Sequence, residues 1–203
     1  MIKYKLTTQE LTTYKGFAWE IGKLYTIDKM GAEMCSDQVF HAYASPPLAV
    51  LHNPIHANIA NPRLWQAACD VVISDGMKCG AKSMTLIREL PLPVVTLNQR
   101  VAYGIYCALT IYTEPAYVAW AARWLSGEDR SFRSALVTSR AAWAAHCRAG
   151  ANCKAAAHAA DAAVSCAEAR AAWVTNESAW AAEEAAGIEL QACAEKAMTV
   201  VNP

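Results

Sequence analysis

Five side chains near the N-terminal end of the sequence have the chemistry to bind a small ligand. Histidine and aromatic rings stack on nucleobases, and imidazole and phenol groups also form hydrogen bonds with polar ligands. If the segment "HAYASPP" and the loop after it border one cleft, these rings face a common ligand. The alternative is that the histidines hold turns through hydrogen bonds. The candidate ligand pocket consists of His41, Tyr43, His52, His56 and Trp65.

Two groups of residues carry metal-binding atom types, but neither has the spacing of a familiar metal site. His52 and His56 are four residues apart, yet Pro54 lies between them and argues against a helix that presents both rings on one face. The second group matches no zinc finger or zinc ribbon, and it consists of His146, Cys147, Cys153, His158 and Asp161. Cysteine among alanines is usually a small apolar residue. The sequence therefore predicts no metal site and no cofactor.

The motifs that usually accompany catalysis are absent from the sequence. It contains no phosphate-binding GxxxxGKS/T or GxGxxG loop, no GxSxG turn, no HExxH helix and no CxxC pair. Glu20, Glu33 and Glu89 are carboxylates of the N-terminal region, and nothing in the sequence brings two of them together. We therefore predict no catalytic residue and favour a non-catalytic protein.

Tryptophans recur at helical spacing in the alanine-rich C-terminal region. Cys166, Trp173 and Trp180 follow one another at intervals of seven residues. Trp143 follows Leu136 by the same interval. Alanine faces allow helices to approach closely, whereas tryptophan supplies the large contact area that alanine lacks. The tryptophans either pack on the rest of the chain or bind a partner or a second copy, since tryptophan is enriched at interface hot spots. The candidate partner-binding or oligomer-binding residues are Trp143, Trp173 and Trp180.

The elements that must position these residues change in type along the chain. Alternating apolar and polar residues predict strands in "IKYKLTT", "FAWEIGKLYTI", "QVFHAYA", "RLWQAACDVVI" and "KSMTLIREL". A helical turn or two is predicted over residues 47–52, because the Asn53-Pro54 step favours extended or turn geometry. Helices are predicted after Thr96 and from Pro115 onward. The alanine content predicts helix over most of the remaining chain.

These elements predict an α+β fold with a β-rich mixed sheet, a central helix pair and an alanine-rich helical hairpin at the C-terminus. Residues 1–95 are expected to form the β-rich domain, residues 96–127 central helices packed on it, and residues 128–203 the alanine-rich tail. Basic residues predominate in the first half of the tail and acidic residues in its second half. That distribution favours an antiparallel hairpin or an antiparallel homo-oligomer.

Composition excludes several classes of protein. The 18 basic and 18 acidic residues give a formal net charge of zero, whereas a nucleic-acid-binding surface normally needs a basic excess. The eight cysteines form no CxxC pair, and the start "MIKYKLTTQE" has no apolar core like that of a signal peptide. Residues 101–122 are apolar enough to suggest a membrane span, but Glu114 and Pro115 interrupt them. We expect a soluble, cytoplasmic protein with reduced thiols and with neither a membrane nor a nucleic-acid partner.

Several motifs in order give the sequence a family resemblance. They are "NPIHANIANPRLW", "DGMKCG", "ELPLP", "QRVAYGIYCAL" and "WLSGEDRS". The sequence resembles a family of uncharacterised proteins encoded by tailed bacteriophages and prophages, whose members share an NPIHAN-type loop, a KCG turn and an alanine-rich helical C-terminal tail. The resemblance covers roughly residues 2–131, and the tail matches in character only. It implies a viral protein located in the cytoplasm of an infected bacterial host.

The resemblance transfers no catalytic role, so function is predicted by analogy alone. Small phage proteins without catalytic motifs often act by binding, and we expect an accessory protein that inhibits a bacterial defence system. Its partner is then a host protein or a sequestered nucleotide signal. A divergent ADP-ribosyltransferase-like enzyme, with Glu89 as its late carboxylate, is the alternative. A structural phage component is the third hypothesis.

Overall fold

The chain divides into two compact units, Met1–Val94 and Val95–Pro203. The structure is a computed structural model that describes residues 1–29, 31–149, 152–185 and 190–200. The strands, a short 3₁₀ helix (Tyr14–Gly16) and one α-helix lie in the first unit, and the other described helices follow in the second. The predicted α+β class is therefore confirmed. No described helix combines the length and the apolar character needed to cross a membrane.

The first unit is built on an antiparallel sheet. Its elements are β1 (Ile2–Thr7), β2 (Thr12–Thr13), β3 (Phe17–Ala18), β4 (Tyr25–Thr26), β5 (Phe40–Tyr43), α1 (Pro46–His56), β6 (Arg63–Ser74) and β7 (Lys78–Leu90). Five strands pair in the order β4-β7-β5-β1-β6, and β6 also pairs with β7. All pairings among the described strands are antiparallel, where the sequence predicts a mixed sheet. The segment "FAWEIGKLYTI" contributes two short strands instead of one, because the chain turns at Gly22, whose φ is 79°.

Helix α1 is longer than its sequence predicts. Ser45 caps it, with its side chain accepting from the Leu48 amide, and the helix continues through Pro54 to His56. Pro54 falls in the last turn, where the carbonyl of Asn53 accepts from the Asn58 amide at 2.6 Å. The Asn53 side chain also accepts from the Ile59 amide at 3.1 Å. The expectation that Pro54 separates the two histidines was wrong, because Asn53 closes the helix end on the far side of the proline.

The second unit consists of six described helices. They are α2 (Leu97–Leu109), α3 (Pro115–Ser126), α4 (Phe132–Ala149), α5 (Asn152–Ala167), α6 (Ala171–Glu184) and α7 (Leu190–Met198). Thr96 caps α2 through a reciprocal pair of hydrogen bonds with Gln99, and Pro115 occupies the first turn of α3. Gly127 ends α3 with a φ of 84°. The predicted starts of α2 and α3 are confirmed.

Alanine is abundant in this unit because its central helix touches neighbours on several sides. Helix α5 packs against α2, α4 and α6, and α2 also contacts α6 and α7. A helix that is buried nearly all round requires small apolar side chains on every face. The fully buried alanines of α5 are Ala155, Ala156, Ala157, Ala159, Ala160 and Ala162. The region after residue 128 thus holds four described helices where a hairpin is expected from sequence, and the central helices belong to the same compact unit.

Helices α2 and α6 approach each other closely at Gly104. A Cβ atom at this position would lie 3.3 Å from Ser178 Cα and 3.4 Å from Ala181 Cβ. We expect Gly104→Leu to lower the free energy of unfolding by about 2 kcal/mol, because the added side chain overpacks the contact. Gly104→Ala is the matched control, since its gain in helix propensity of about 1 kcal/mol offsets a tight methyl contact. Urea unfolding followed by circular dichroism checks both, and equal stability of the two variants would contradict the close approach.

Candidate functional site

Helix α1 and strand β5 bring three of the predicted pocket residues together. His52 is fully buried, and its ring stacks on that of His56 with centroids 5.1 Å apart. The Tyr43 hydroxyl lies 3.1 Å from His56 Nδ1, and the two rings are also stacked. Because α1 is helical through His56, residues four apart share one face. Tyr43, His52 and His56 form what we term the imidazole cluster.

Two charged residues, Lys78 and Asp75, lie beside the imidazole cluster, and sequence reasoning missed both. Lys78 is only 8% exposed, and its Nζ lies 3.5 Å from His56 Nε2 and 3.9 Å from Asp75 Oδ2. Lys78 is paired with Tyr43 in the β5–β7 register. Asp75 also accepts from the amides of Met77 and Lys78 at 2.9 and 2.8 Å, which fixes the turn between β6 and β7. The "DGMKCG" turn is visible in the sequence, but only the strand register places its lysine beside His56.

Burial keeps the histidines of this region neutral at physiological pH. Burial lowers the pKa of His52 to about 3 and that of His56 to about 4, with the nearby Lys78 ammonium adding to the effect on His56. Burial and the charge of Lys5 lower the pKa of His41 to about 4. Burial also raises the pKa of the Tyr43 phenol. The imidazole cluster can therefore donate and accept hydrogen bonds, whereas the charged groups beside it are Lys78 and Asp75.

The other two predicted pocket residues have different surroundings. His41 Nε2 accepts from the Cys35 amide at 3.1 Å, so this ring holds a turn, as in the alternative hypothesis. Trp65 is 1% exposed and donates to Thr7 Oγ1 at 3.0 Å. Its strand neighbour Gln66 pairs with Tyr4, which also pairs with Tyr43. Since adjacent residues of a strand point to opposite faces, the structure does not bring Trp65 to the imidazole cluster.

The three tryptophans proposed from the sequence as partner-binding residues are not equivalent. Trp143 on α4 is partly buried and donates from its indole to Asp161 at 2.7 Å. On α6, Trp173 is 52% exposed and Trp180 is 36% exposed. The guanidinium of Arg170 lies 5.0 Å from the centroid of the Trp173 ring, and the ring of His158 lies 5.7 Å from that of Trp180. Trp173 and Trp180 thus present aromatic surface to solvent, whereas Trp143 is an internal hydrogen-bond donor.

A histidine and two carboxylates meet inside the helical unit. His158 and Asp161 lie one turn apart on α5, and Glu177 reaches them from α6. We call these three residues the His158 cluster. His158 Nδ1 lies 2.7 Å from Glu177 Oε2, and their side chains are 13% and 10% exposed. Of the group weighed from the sequence, Cys147 is exposed and His146 packs on the edge of Trp143. Glu177 was missed because it is distant from the group in sequence.

The late carboxylate of the alternative enzyme hypothesis is engaged in an ion pair. Both oxygens of Glu89 bond to the guanidinium of Arg63, at 2.9 and 2.6 Å, across β6 and β7. The pair borders a surface cleft of about 430 Å³ together with Gln9 and the segment Leu90–Leu92. Hydrogen bonding to Arg63 lowers the pKa of Glu89, so this carboxyl is a poor general base at neutral pH.

The fold and these sites define a protein with an antiparallel β-rich unit followed by an alanine-rich helical unit. Residues 1–98 are similar to a family described as a domain of unknown function, DUF7666. That match covers the whole first unit but less than half of the 203-residue chain. No curated protein and no solved structure matches the chain.

Proposed function

We propose that this chain is a phage-encoded accessory protein that binds a host bacterial protein through Trp173 and Trp180, and that it inhibits a bacterial defence system without catalysis. The observation that carries the proposal is the exposure of these two side chains, 52% and 36%, on a helix that buries Ala179, Ala181 and Ala182. Tryptophan is among the residues most enriched at interface hot spots. The phage origin rests on the resemblance of the sequence motifs.

The contacts of the two rings suit them to binding. Arg170 stacks on Trp173, and His158 packs against Trp180, so each ring has a neighbour that restricts its rotation. A side chain held in place loses less conformational entropy when a partner covers it. Interspersed alanines such as Ala179 and Ala181 are buried, which leaves the tryptophans as projections from α6. A concave apolar surface on a protein partner complements such projections better than a small polar ligand does.

The double variant Trp173→Ala/Trp180→Ala tests the proposal. We expect partner affinity to fall at least about 100-fold, because truncating a hot-spot side chain costs about 2–4 kcal/mol of binding free energy. Native mass spectrometry of the tagged chain from bacterial lysate identifies the partner, and calorimetry with both purified proteins gives the affinity. Val137→Ala is the matched control, since Val137 on α4 is 63% exposed and apolar.

Four results would contradict this function. Equal partner affinity of the double variant and the wild type would remove the tryptophans from the interface. Loss of helical circular dichroism in the double variant would mean that the two tryptophans are needed for folding. A small ligand retained by both forms, and lost from Lys78→Met, would move the site to the imidazole cluster and favour nucleotide capture. A complex between two copies of the chain alone, abolished by the double substitution, would make α6 an oligomer interface.

A further inference from the structure

The His158 cluster has the composition and the compactness of a metal site. One imidazole nitrogen and two carboxylate oxygens from His158, Asp161 and Glu177 all lie within 4.8 Å of one another. Bonds from transition metals to these ligands measure about 2.0–2.2 Å, so two atoms bound to one ion lie at most about 4.4 Å apart. Small rotations of the three side chains therefore suffice to place their ligand atoms around one ion.

The His158 cluster contains more acidic than basic groups. Two carboxylates, those of Asp161 and Glu177, accompany one imidazole. Asp161 accepts from the Ser139 hydroxyl and from the Trp143 indole, which are both neutral donors. Within the described residues, Glu177 is the more deeply buried carboxylate and bonds only to His158. Burying an excess charge is costly unless a cation is present, and a divalent ion would offset it.

The surroundings hold the ligands in position. Ser139 and Trp143 on α4 contact different oxygens of Asp161 and so fix the orientation of its carboxylate. The rings of Trp143 and Trp180 lie with centroids 5.2 and 5.7 Å from that of His158. Hydrogen bonds to ligating carboxylates and an apolar shell are the features that orient ligands and limit solvent access in metal sites. Helix bundles build such sites from inward-facing histidine and carboxylate side chains.

We propose that His158, Asp161 and Glu177 bind a divalent transition-metal ion between α5 and α6. A mixed nitrogen and carboxylate set favours ions such as Zn²⁺, Mn²⁺ or Co²⁺ over Mg²⁺ and Ca²⁺, which prefer oxygen ligands alone. Three protein ligands leave at least one position for water. The proposal does not rest on the proposed partner-binding function, although the ring of Trp180 packs against that of His158.

Titration of the chelator-treated full-length chain with Co²⁺ tests the site. We expect stoichiometric binding at micromolar protein, visible d–d absorption and quenching of tryptophan fluorescence. Asp161→Asn and Glu177→Gln should each weaken Co²⁺ binding at least about 100-fold, and Trp143→Phe about 10-fold through loss of an orienting donor. Glu184→Gln is the matched control, because Glu184 lies on the same helix but pairs with Lys154. Zn²⁺ competition then ranks the two ions.

Several outcomes would overturn the proposal. The site is wrong if the wild type binds no Co²⁺ at micromolar concentration, or if Glu177→Gln binds it as well as the wild type does. If Glu184→Gln weakens Co²⁺ binding as much as Glu177→Gln does, the loss comes from the removal of a negative charge anywhere on the helix and not from the removal of a ligand. A thiolate-to-cobalt charge-transfer band would place the ion on a cysteine such as Cys147 or Cys153 instead. Circular dichroism of each variant confirms that the helices are intact before affinities are compared.

Discussion

Trp65→Ala is expected to lower the free energy of unfolding of the first unit by about 3–5 kcal/mol, the range for removing a large aromatic side chain from a core. Trp65 is 1% exposed and packs in the apolar cluster that includes Ala67, Cys69 and Leu86. Its indole donates to Thr7 Oγ1 at 3.0 Å, and the guanidinium of Arg63 lies 4.8 Å from its ring. The substitution removes the buried apolar area of the Trp65 side chain, its hydrogen bond to Thr7 and its cation–π contact with Arg63 together. Since domains of this size are stable by about 5–15 kcal/mol, much of the unit's stability is at stake.

Urea unfolding of the full chain, resolved by hydrogen exchange of peptides from residues 1–94, measures this loss. Trp65→Phe keeps most of the apolar area and loses the hydrogen bond, so it should cost about 1–2 kcal/mol. Trp173→Ala is the contrasting control, because Trp173 is 52% exposed and its loss should change stability by less than about 1 kcal/mol. A loss as small for Trp65 as for Trp173 would mean that Trp65 does not belong to the core. Trp65 would then again be a candidate for contact with a ligand.

Local patterns in the sequence predict much of this fold because local interactions produce it. Alternation of apolar residues gives β1, β5, β6 and β7, and the Thr96 cap and Pro115 give the starts of α2 and α3. Alanine gives the helical character of the second unit. These features depend on neighbours within a few residues, so one sequence contains the necessary information.

The failures come from contacts between residues that are distant in sequence. Helix α1 continues beyond Pro54 because the side chain and the carbonyl of Asn53 accept hydrogen bonds from residues after the helix. The usual effect of proline on a helix does not predict these hydrogen bonds. Trp65 was assigned to the pocket by its type, whereas its strand register places it on the face away from Tyr43. An error of one residue in register reverses the face of every side chain, so such assignments need the actual pairing.

Contacts between residues distant in sequence also explain why the sequence analysis missed Lys78 and Glu177 in the candidate sites. Lys78 joins His56 only through the β5–β7 pairing, and Glu177 joins His158 only through the packing of α5 on α6. Exposure is also a tertiary property. The seven-residue interval placed Trp173 and Trp180 on one helix face. Packing decides that these two side chains keep exposed surface although Glu177 between them is buried, and that Trp143 donates to Asp161 instead.

One buried histidine, His52, and two partly buried ones, His41 and His56, make the first unit sensitive to acid. Burial holds the folded-state pKa of His52 at about 3 and those of His41 and His56 at about 4, below the ordinary value of 6.5. Between about pH 6.5 and pH 4 the unfolded chain therefore binds more protons than the folded chain, and stability falls as the pH falls through this window. The contribution is fully present above pH 6.5 and is lost near pH 4. The positive charges of Lys5 and Lys78 face these imidazoles and oppose their protonation, whereas Asp75 favours it.

Lowering the pH from about 7.5 to 5 should therefore reduce the free energy of unfolding of the first unit by about 3–6 kcal/mol, or about 1–2 kcal/mol for each of the three histidines. Denaturant unfolding at a series of pH values, with hydrogen exchange of the same peptides, measures the slope. His52→Leu removes one titrating ring and should make the slope shallower by about 1 kcal/mol per pH unit, whatever its effect on stability at neutral pH. His146→Leu in the second unit is the control and should leave the first unit's slope unchanged. If His52→Leu and the wild type have the same slope, His52 binds protons equally in the folded and unfolded chains, and the imidazole cluster is not the origin of the acid sensitivity.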